Sequence, residues 1–138
     1  MTLRLPDYFF RVRENGAQVF RVDTENRMKR IEMDPIAVLN IKNGDIKPQG
    51  QRTLSQEDMA EITKWMDARR ALLAHRELDD ILRTIDHLNL TASWAQSKAS
   101  EDALDTVTDA LLMAMHDLRT VLVRKKADRI EKSGPSET

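Results

Sequence analysis

The feature that most constrains the fold of this chain is a long apolar seam in its last third. Its members are spaced three and four residues apart: Leu104, Val107, Leu111, Ala114, Leu118 and Val121, with Lys125 ending the run. This spacing matches the period of an α-helix and keeps one side apolar for about five turns. Ser100 is a suitable N-cap, and acidic residues follow it. The sequence therefore predicts a helix over residues 100–132.

A second helical region precedes this seam and begins after Ser55, which is predicted to be its N-cap. Its apolar stripe first runs through Met59, Ile62, Trp65, Met66, Leu72 and Leu73. It continues through Leu78, Ile81, Leu82, Ile85, Leu88, Ala92 and Ala95. No Gly or Pro interrupts residues 56–96, but the stripe drifts near Ala74, so one helix and two helices both remain open. The short link at 98–100 predicts that residues 77–96 and 101–130 form an antiparallel hairpin.

The N-terminal third predicts an antiparallel sheet. Asn15-Gly16 lies between aromatic and β-branched residues, which is a strong β-hairpin signal. A two-residue loop there would mix apolar and charged side chains on each face. A three-residue loop over 14–16 is favoured because it pairs Phe10 with Phe20 and Tyr8 with Val22, which keeps one face apolar. The opposite face then carries Arg11, Arg13 and Arg21.

The sequence pattern of the remaining N-terminal residues predicts further strands. Residues 23–26 are a predicted turn, and 27–33 a third strand with Ile31 and Met33 facing inward. Asp34-Pro35 is predicted to end it. Residues 36–41 favour a fourth strand, with a helix start after Asp34 as the alternative, and Asn43-Gly44 a tight turn behind it. Residues 47–53 are predicted to be a loop.

These patterns predict an α+β fold: a small N-terminal antiparallel meander of three or four strands, then two or three helices ending in a long antiparallel helical hairpin. The predicted organisation is a sheet subdomain over 1–52, a helical subdomain over 53–132 and a flexible tail over 133–138.

Composition argues against several functional classes. The chain has no cysteine, so disulfides and thiolate zinc sites are excluded. Its three histidines do not form the inward-facing pairs that bind metals in helical bundles, and its four glycines look like turn residues rather than a phosphate loop. The carboxylates fall between the apolar stripes, as on solvated faces. We therefore expect a non-enzymatic protein without catalytic residues, cofactor, metal or small-molecule ligand. No apolar run is long enough to span a membrane and no secretion signal is visible, so a cytoplasmic location is expected.

The first half of the chain is mildly basic. Residues 1–52 carry ten Lys/Arg and seven Asp/Glu, whereas residues 53–138 carry twelve and sixteen. A basic sheet face can contact phosphates, although acidic residues lie between these cations. The alternative function is therefore a nucleic-acid-binding regulator. Its candidate residues are Arg11, Arg13, Arg21, Arg27, Lys29 and Arg30.

The helical region carries more apolar surface than a two-helix hairpin can bury. Leu112, Met113 and Val123 lie off the main seam and are the candidate protein-contact residues. Trp65 and Trp94 are interpreted as core or interface anchors. The leading prediction is a cytoplasmic adaptor, chaperone-like or regulatory protein that binds a protein partner through this surface and self-associates.

Overall fold

The chain folds into a four-stranded antiparallel sheet followed by two long helices, which confirms the predicted α+β class. The computed structural model describes residues 5–23 and 30–134. The strands in this part are β1 (Tyr8–Arg13), β2 (Gly16–Asp23), β3 (Glu32–Asn40) and β4 (Ile46–Pro48). They are hydrogen-bonded in chain order as a meander. The helices are α1 (Gln56–Ser97) and α2 (Glu101–Lys132).

The register of the first hairpin differs from the prediction by one residue. Arg13 pairs with Gly16 and Phe10 with Val19, so the loop contains only residues 14–15. The predicted three-residue loop is wrong because Gly16 does not serve as a left-handed turn residue. A Cβ atom at Gly16 would overlap the backbone of Leu39 in β3. Gly16 is therefore required for the close approach of two strands.

Strand β3 continues through Pro35, where the sequence predicted a strand end. The β2–β3 register shifts between Val19, which pairs with Ala37, and Phe20, which pairs with Pro35. The shift leaves Ile36 as the extra residue of a β-bulge. A proline lacks the N–H needed for a sheet ladder, and a bulge is one of the places that tolerate it. Residues 36–40 are strand, as predicted, but they belong to the same strand as 32–35.

Other predictions in this region have mixed outcomes. Ile31 is 62% exposed, so its predicted inward position is wrong, whereas Met33 is half-buried. The predicted loop at 47–53 begins with two residues of β4. The turn at residues 43–44 is confirmed, and Gly44 has the positive φ of 81° that such a turn favours. Residues 24–29, which hold most of the predicted second turn and the start of the predicted third strand, lie outside the described part.

The buried core lies between the sheet and the first turns of α1. Ile62 and Met66 of α1 are buried there. The sheet residues that they join are Ala17, Val19, Ile36, Ala37 and Leu39. Trp65 stacks on Phe10 with ring centroids 4.8 Å apart, which agrees with its predicted role as an anchor.

Both helices begin at the predicted caps. The Asp58 N–H donates to Ser55 Oγ and the Ser55 N–H donates to Asp58 Oδ2, both at 3.0 Å, so the two residues form a capping box. The Ala103 N–H donates to Ser100 Oγ at 3.1 Å. Residues 56–97 form one continuous helix, which resolves the choice that the sequence left open.

The chain divides by packing into two compact units, Met1–Asp80 and Ile81–Thr138, so the division lies within α1. The predicted boundary at 52/53 follows the change from strand to helix instead, and it stays a prediction. Neither helix is long and apolar enough to cross a membrane; only the described ranges bear on this point.

Candidate protein-interaction surface

The second unit carries an unusually large uncovered apolar surface. None of the residues of α2 is buried. Its large apolar side chains remain roughly half exposed: Leu112, Met113, Met115, Leu118, Val121, Leu122, Val123 and Ile130. An amphipathic helix normally covers its apolar face with another element, and large apolar patches on protein surfaces usually mark contact sites.

An apolar groove separates the end of α1 from the start of α2. It has a volume of about 250 Å³. Its two threonine hydroxyls are already used within the helices, since Thr91 donates to the His87 carbonyl and Thr108 to the Leu104 carbonyl. Small-molecule sites are typically larger, about 300–1,000 Å³, and use polar groups to orient the ligand. The groove therefore suits apolar side chains of another helix better. Its lining is Leu88, Thr91, Ala92, Trp94, Ala95, Leu104, Val107, Thr108, Leu111, Leu112 and Met115.

Two adjacent stripes of residues run along the surface of α2. The seam predicted from the sequence is half-buried at Leu104, Val107 and Leu111, where it lines the groove. A second stripe consists of Thr108, Leu112, Met115, Arg119, Leu122 and Lys126. Its steps alternate between four and three residues, so it also follows one side of the helix. Sequence reasoning missed this stripe because three of its six members are polar.

The three predicted contact residues are all exposed: Leu112 58%, Met113 61% and Val123 52%. Successive residues of an α-helix are rotated by about 100°, so Leu112 and Val123 point in nearly the same direction and Met113 points well away from both. The structure thus places two of them on the side of the second stripe. Their role in binding stays a prediction.

Within the residues that the structure describes, the predicted basic face of the sheet retains Arg11 and Arg13. Arg11 and Arg13 share the outer face of the sheet with Phe9. The Arg11 guanidinium lies 4.6 Å from the ring centroid of Phe20, and Arg13 Nη2 donates to Gln18 Oε1 at 3.3 Å. Both cations remain exposed.

Among the other four basic candidates, the structure contradicts the prediction for Arg21. Arg21 lies on the core-facing side, where it binds Asp58, so the expectation that it projects with the outer arginines is wrong. Arg21 lies on this side because the register of the first hairpin differs by one residue from the predicted one. Arg30 is exposed, and Arg27 and Lys29 lie outside the described residues.

Asp58 is the one buried charged residue within the described ranges, at 1% exposure. It accepts hydrogen bonds from the Tyr8 hydroxyl at 2.6 Å, from Arg21 Nε at 3.1 Å, from Arg21 Nη2 and from the Ser55 N–H. Every lone pair that the carboxylate offers is thus occupied. The arrangement ties β1 and β2 to the start of α1, and it leaves no oxygen available for acid–base chemistry.

The charge states of this cluster follow from its contacts. The hydrogen bonds from Arg21, which outweigh the effect of burial, hold the pKa of Asp58 well below its usual range, with Tyr8 and Ser55 adding to them. Burial, followed by the hydrogen bond to Asp58, raises the pKa of Tyr8 to about 12. Ser55 could be identified from the sequence as a helix cap, but no sequence signal indicated that Arg21 of β2 would bind Asp58 beside it.

Elsewhere in the described ranges, no group of three or more acidic or histidine side chains is placed to hold a metal ion. Comparison with protein-family models, with curated proteins and with solved structures finds no match for this chain.

Proposed function

We propose that this chain is a cytoplasmic, non-enzymatic interaction protein, acting as an adaptor, chaperone-like protein or regulatory subunit, that binds a protein partner through the apolar surface of its second unit. The observation that carries the proposal is α2, a 32-residue helix without a buried residue. The groove beside it is predominantly apolar, and its two threonine hydroxyls bond within the helices, which favours side chains of a protein over a small ligand.

Burial of this apolar surface would contribute substantially to the free energy of such binding. Covering a half-exposed Leu, Ile, Val or Met side chain contributes about 1 kcal/mol. The described part of the second unit exposes more than ten of them, so the gross gain is on the order of 10 kcal/mol. Association costs about 4–15 kcal/mol in lost freedom of motion, so this surface can offset most or all of that cost.

The test is covalent capture in native cells. A tagged full-length chain is cross-linked and purified under denaturing conditions, and its protein adducts are compared with those of Leu112→Glu and Thr120→Glu. Leu112→Glu places a charge on the apolar side of α2 and should remove the adducts. Thr120→Glu adds the same charge on the polar side and should retain them. Equal adducts from all three chains would contradict the proposal.

A second candidate function is single-stranded nucleic-acid binding by the outer face of the sheet. Phe9 is exposed there beside Arg11 and Arg13, and pairing across the strands brings Gln18 and Lys47 onto the same face. Exposed aromatic rings stack on bases, and the neighbouring cations attract phosphates.

Titration with a single-stranded oligonucleotide tests this alternative. A Phe9→Ala/Arg13→Ala variant should bind roughly ten- to a hundredfold more weakly, because base stacking contributes about 1–3 kcal/mol per base. Arg76→Ala removes a charge from α1 and serves as the control. Affinity that is insensitive to salt, or equally reduced in both variants, would argue against it.

A further inference from the structure

We infer that two copies of this chain associate through the second stripe of α2, with the two α2 helices antiparallel about a twofold axis perpendicular to them. This inference rests on the proposed function and names the partner of the same surface. Three features of α2 support it: the symmetry of the stripe, the distribution of charge along the helix, and the amount of apolar surface.

The second stripe has the same spacing in both directions. Its steps are four, three, four, three and four residues from Thr108 to Lys126. A twofold axis between Met115 and Arg119 therefore brings Leu112 of one copy opposite Leu122 of the other. It also brings Thr108 opposite Lys126, and Met115 opposite Arg119. Self-complementary contacts of this kind define a twofold interface, and the long stems of Arg and Lys can cover apolar neighbours while their charges stay in water.

Charge is segregated along α2. Residues 101–116 contain four Asp/Glu and no Lys/Arg, whereas residues 117–132 contain six Lys/Arg and three Asp/Glu, a net of +3. Antiparallel pairing places the acidic half of each copy beside the basic half of the other. Parallel pairing would place like charges together along the whole helix. Complementary charge suppresses the wrong arrangement, so the antiparallel one is favoured.

The exposed apolar side chains supply about half of the apolar area that a standard interface buries per partner. A fully exposed aliphatic side chain offers on the order of 100 Å², given about 2.5 kcal/mol for its burial at about 25 cal/mol per Å². The exposed apolar side chains on the side of the groove and stripe therefore offer on the order of 250 Å² per copy; they are Leu88, Leu112, Met115, Leu122 and Val123. A standard interface buries about 800 Å² per partner, of which about 60% is apolar. The stripe also borders the groove, so side chains of the second copy can fill it, as in a bundle of two helical hairpins.

The mass of the full-length chain in solution is the first arm of the test. Sedimentation equilibrium at micromolar concentrations should give twice the chain mass. The double variant Leu112→Glu/Leu122→Glu should give the monomer mass, because both side chains are exposed in the single chain and face each other in the dimer. Leu90→Glu, at an even more exposed apolar position of α1, should remain dimeric. A monomeric wild-type chain would overturn the inference, and the capture experiment would then decide separately whether another protein uses the surface.

Disulfide cross-linking is the second arm, and it does not depend on disruptive variants. The chain has no cysteine, so introduced ones give unambiguous products. Thr108→Cys and Lys126→Cys lie about 27 Å apart along one helix and meet only across an antiparallel pair. Mixing the two variants under oxidising conditions should give a covalent dimer, whereas each alone should not. A covalent dimer from either single variant alone, or none from the mixture, would overturn the antiparallel arrangement.

Discussion

At the residue scale, the buried side chain of Asp58 joins three parts of the first unit. Its carboxylate holds Tyr8, Arg21 and the helix cap at one point. Because folding lowers the pKa of Asp58 from an ordinary 3.8, the ionised form stabilises the fold above pH 4 and this contribution is lost as the pH falls further. Because folding raises the pKa of Tyr8 from 10.0 to about 12, the neutral phenol stabilises the fold below pH 10 and this contribution is lost between pH 10 and 12.

Tyr8 is the sole tyrosine of the chain, so its ionisation can be followed directly by ultraviolet absorbance. The titration midpoint of the folded protein should lie well above 10. Asp58→Asn should lower this midpoint towards 10 and reduce the free energy of unfolding at pH 7 by about 2 kcal/mol, because it removes charge-assisted hydrogen bonds. The stability difference should shrink as the pH falls below 4. A wild-type midpoint near 10, with circular dichroism showing a folded chain, would contradict the proposed role of Asp58.

At the element scale, the helices could be predicted from the sequence and the strand register could not. Periodic apolar residues and the caps Ser55 and Ser100 are local signals, and both helices begin where these signals placed them. The register of the first hairpin depends instead on a contact that is distant in the sequence, because the backbone of Leu39 leaves no room for a side chain at position 16. Pro35 is a second example. A proline usually ends a strand, but here β3 continues through it because a bulge forms where β3 pairs with β2.

The candidate interaction surface of α2 could also be predicted only in part from the sequence. Leu112 could be identified from its position beside the main seam, but the second stripe around it contains Thr108, Arg119 and Lys126, which conceal its spacing. The error over Arg21 has a different origin. A one-residue change of register moves a side chain to the other face of a sheet, so Arg21 was predicted on the outer face, whereas it forms an ion pair with the buried Asp58 on the core-facing side.

At the scale of the whole molecule, the two units have different ways of burying apolar surface. The first unit has a core between its sheet and α1, whereas α2 in the second unit has no buried residue. A helix of this composition gains stability mainly from the packing of its apolar face. We therefore expect another protein surface, in our inference a second copy, to cover the apolar side of α2 in the functional state.

Whether the apolar side of α2 is covered can be measured on the unaltered chain by following methionine oxidation with mass spectrometry. Met115 lies in the second stripe and is exposed in the single chain, whereas Met66 is 4% exposed in the core of the first unit and serves as the internal control. At low protein concentration, peroxide should oxidise Met115 readily and Met66 slowly. In native lysate or at high protein concentration, Met115 should become protected while Met66 is unchanged. Equal oxidation of Met115 under all these conditions would show that no protein surface covers α2.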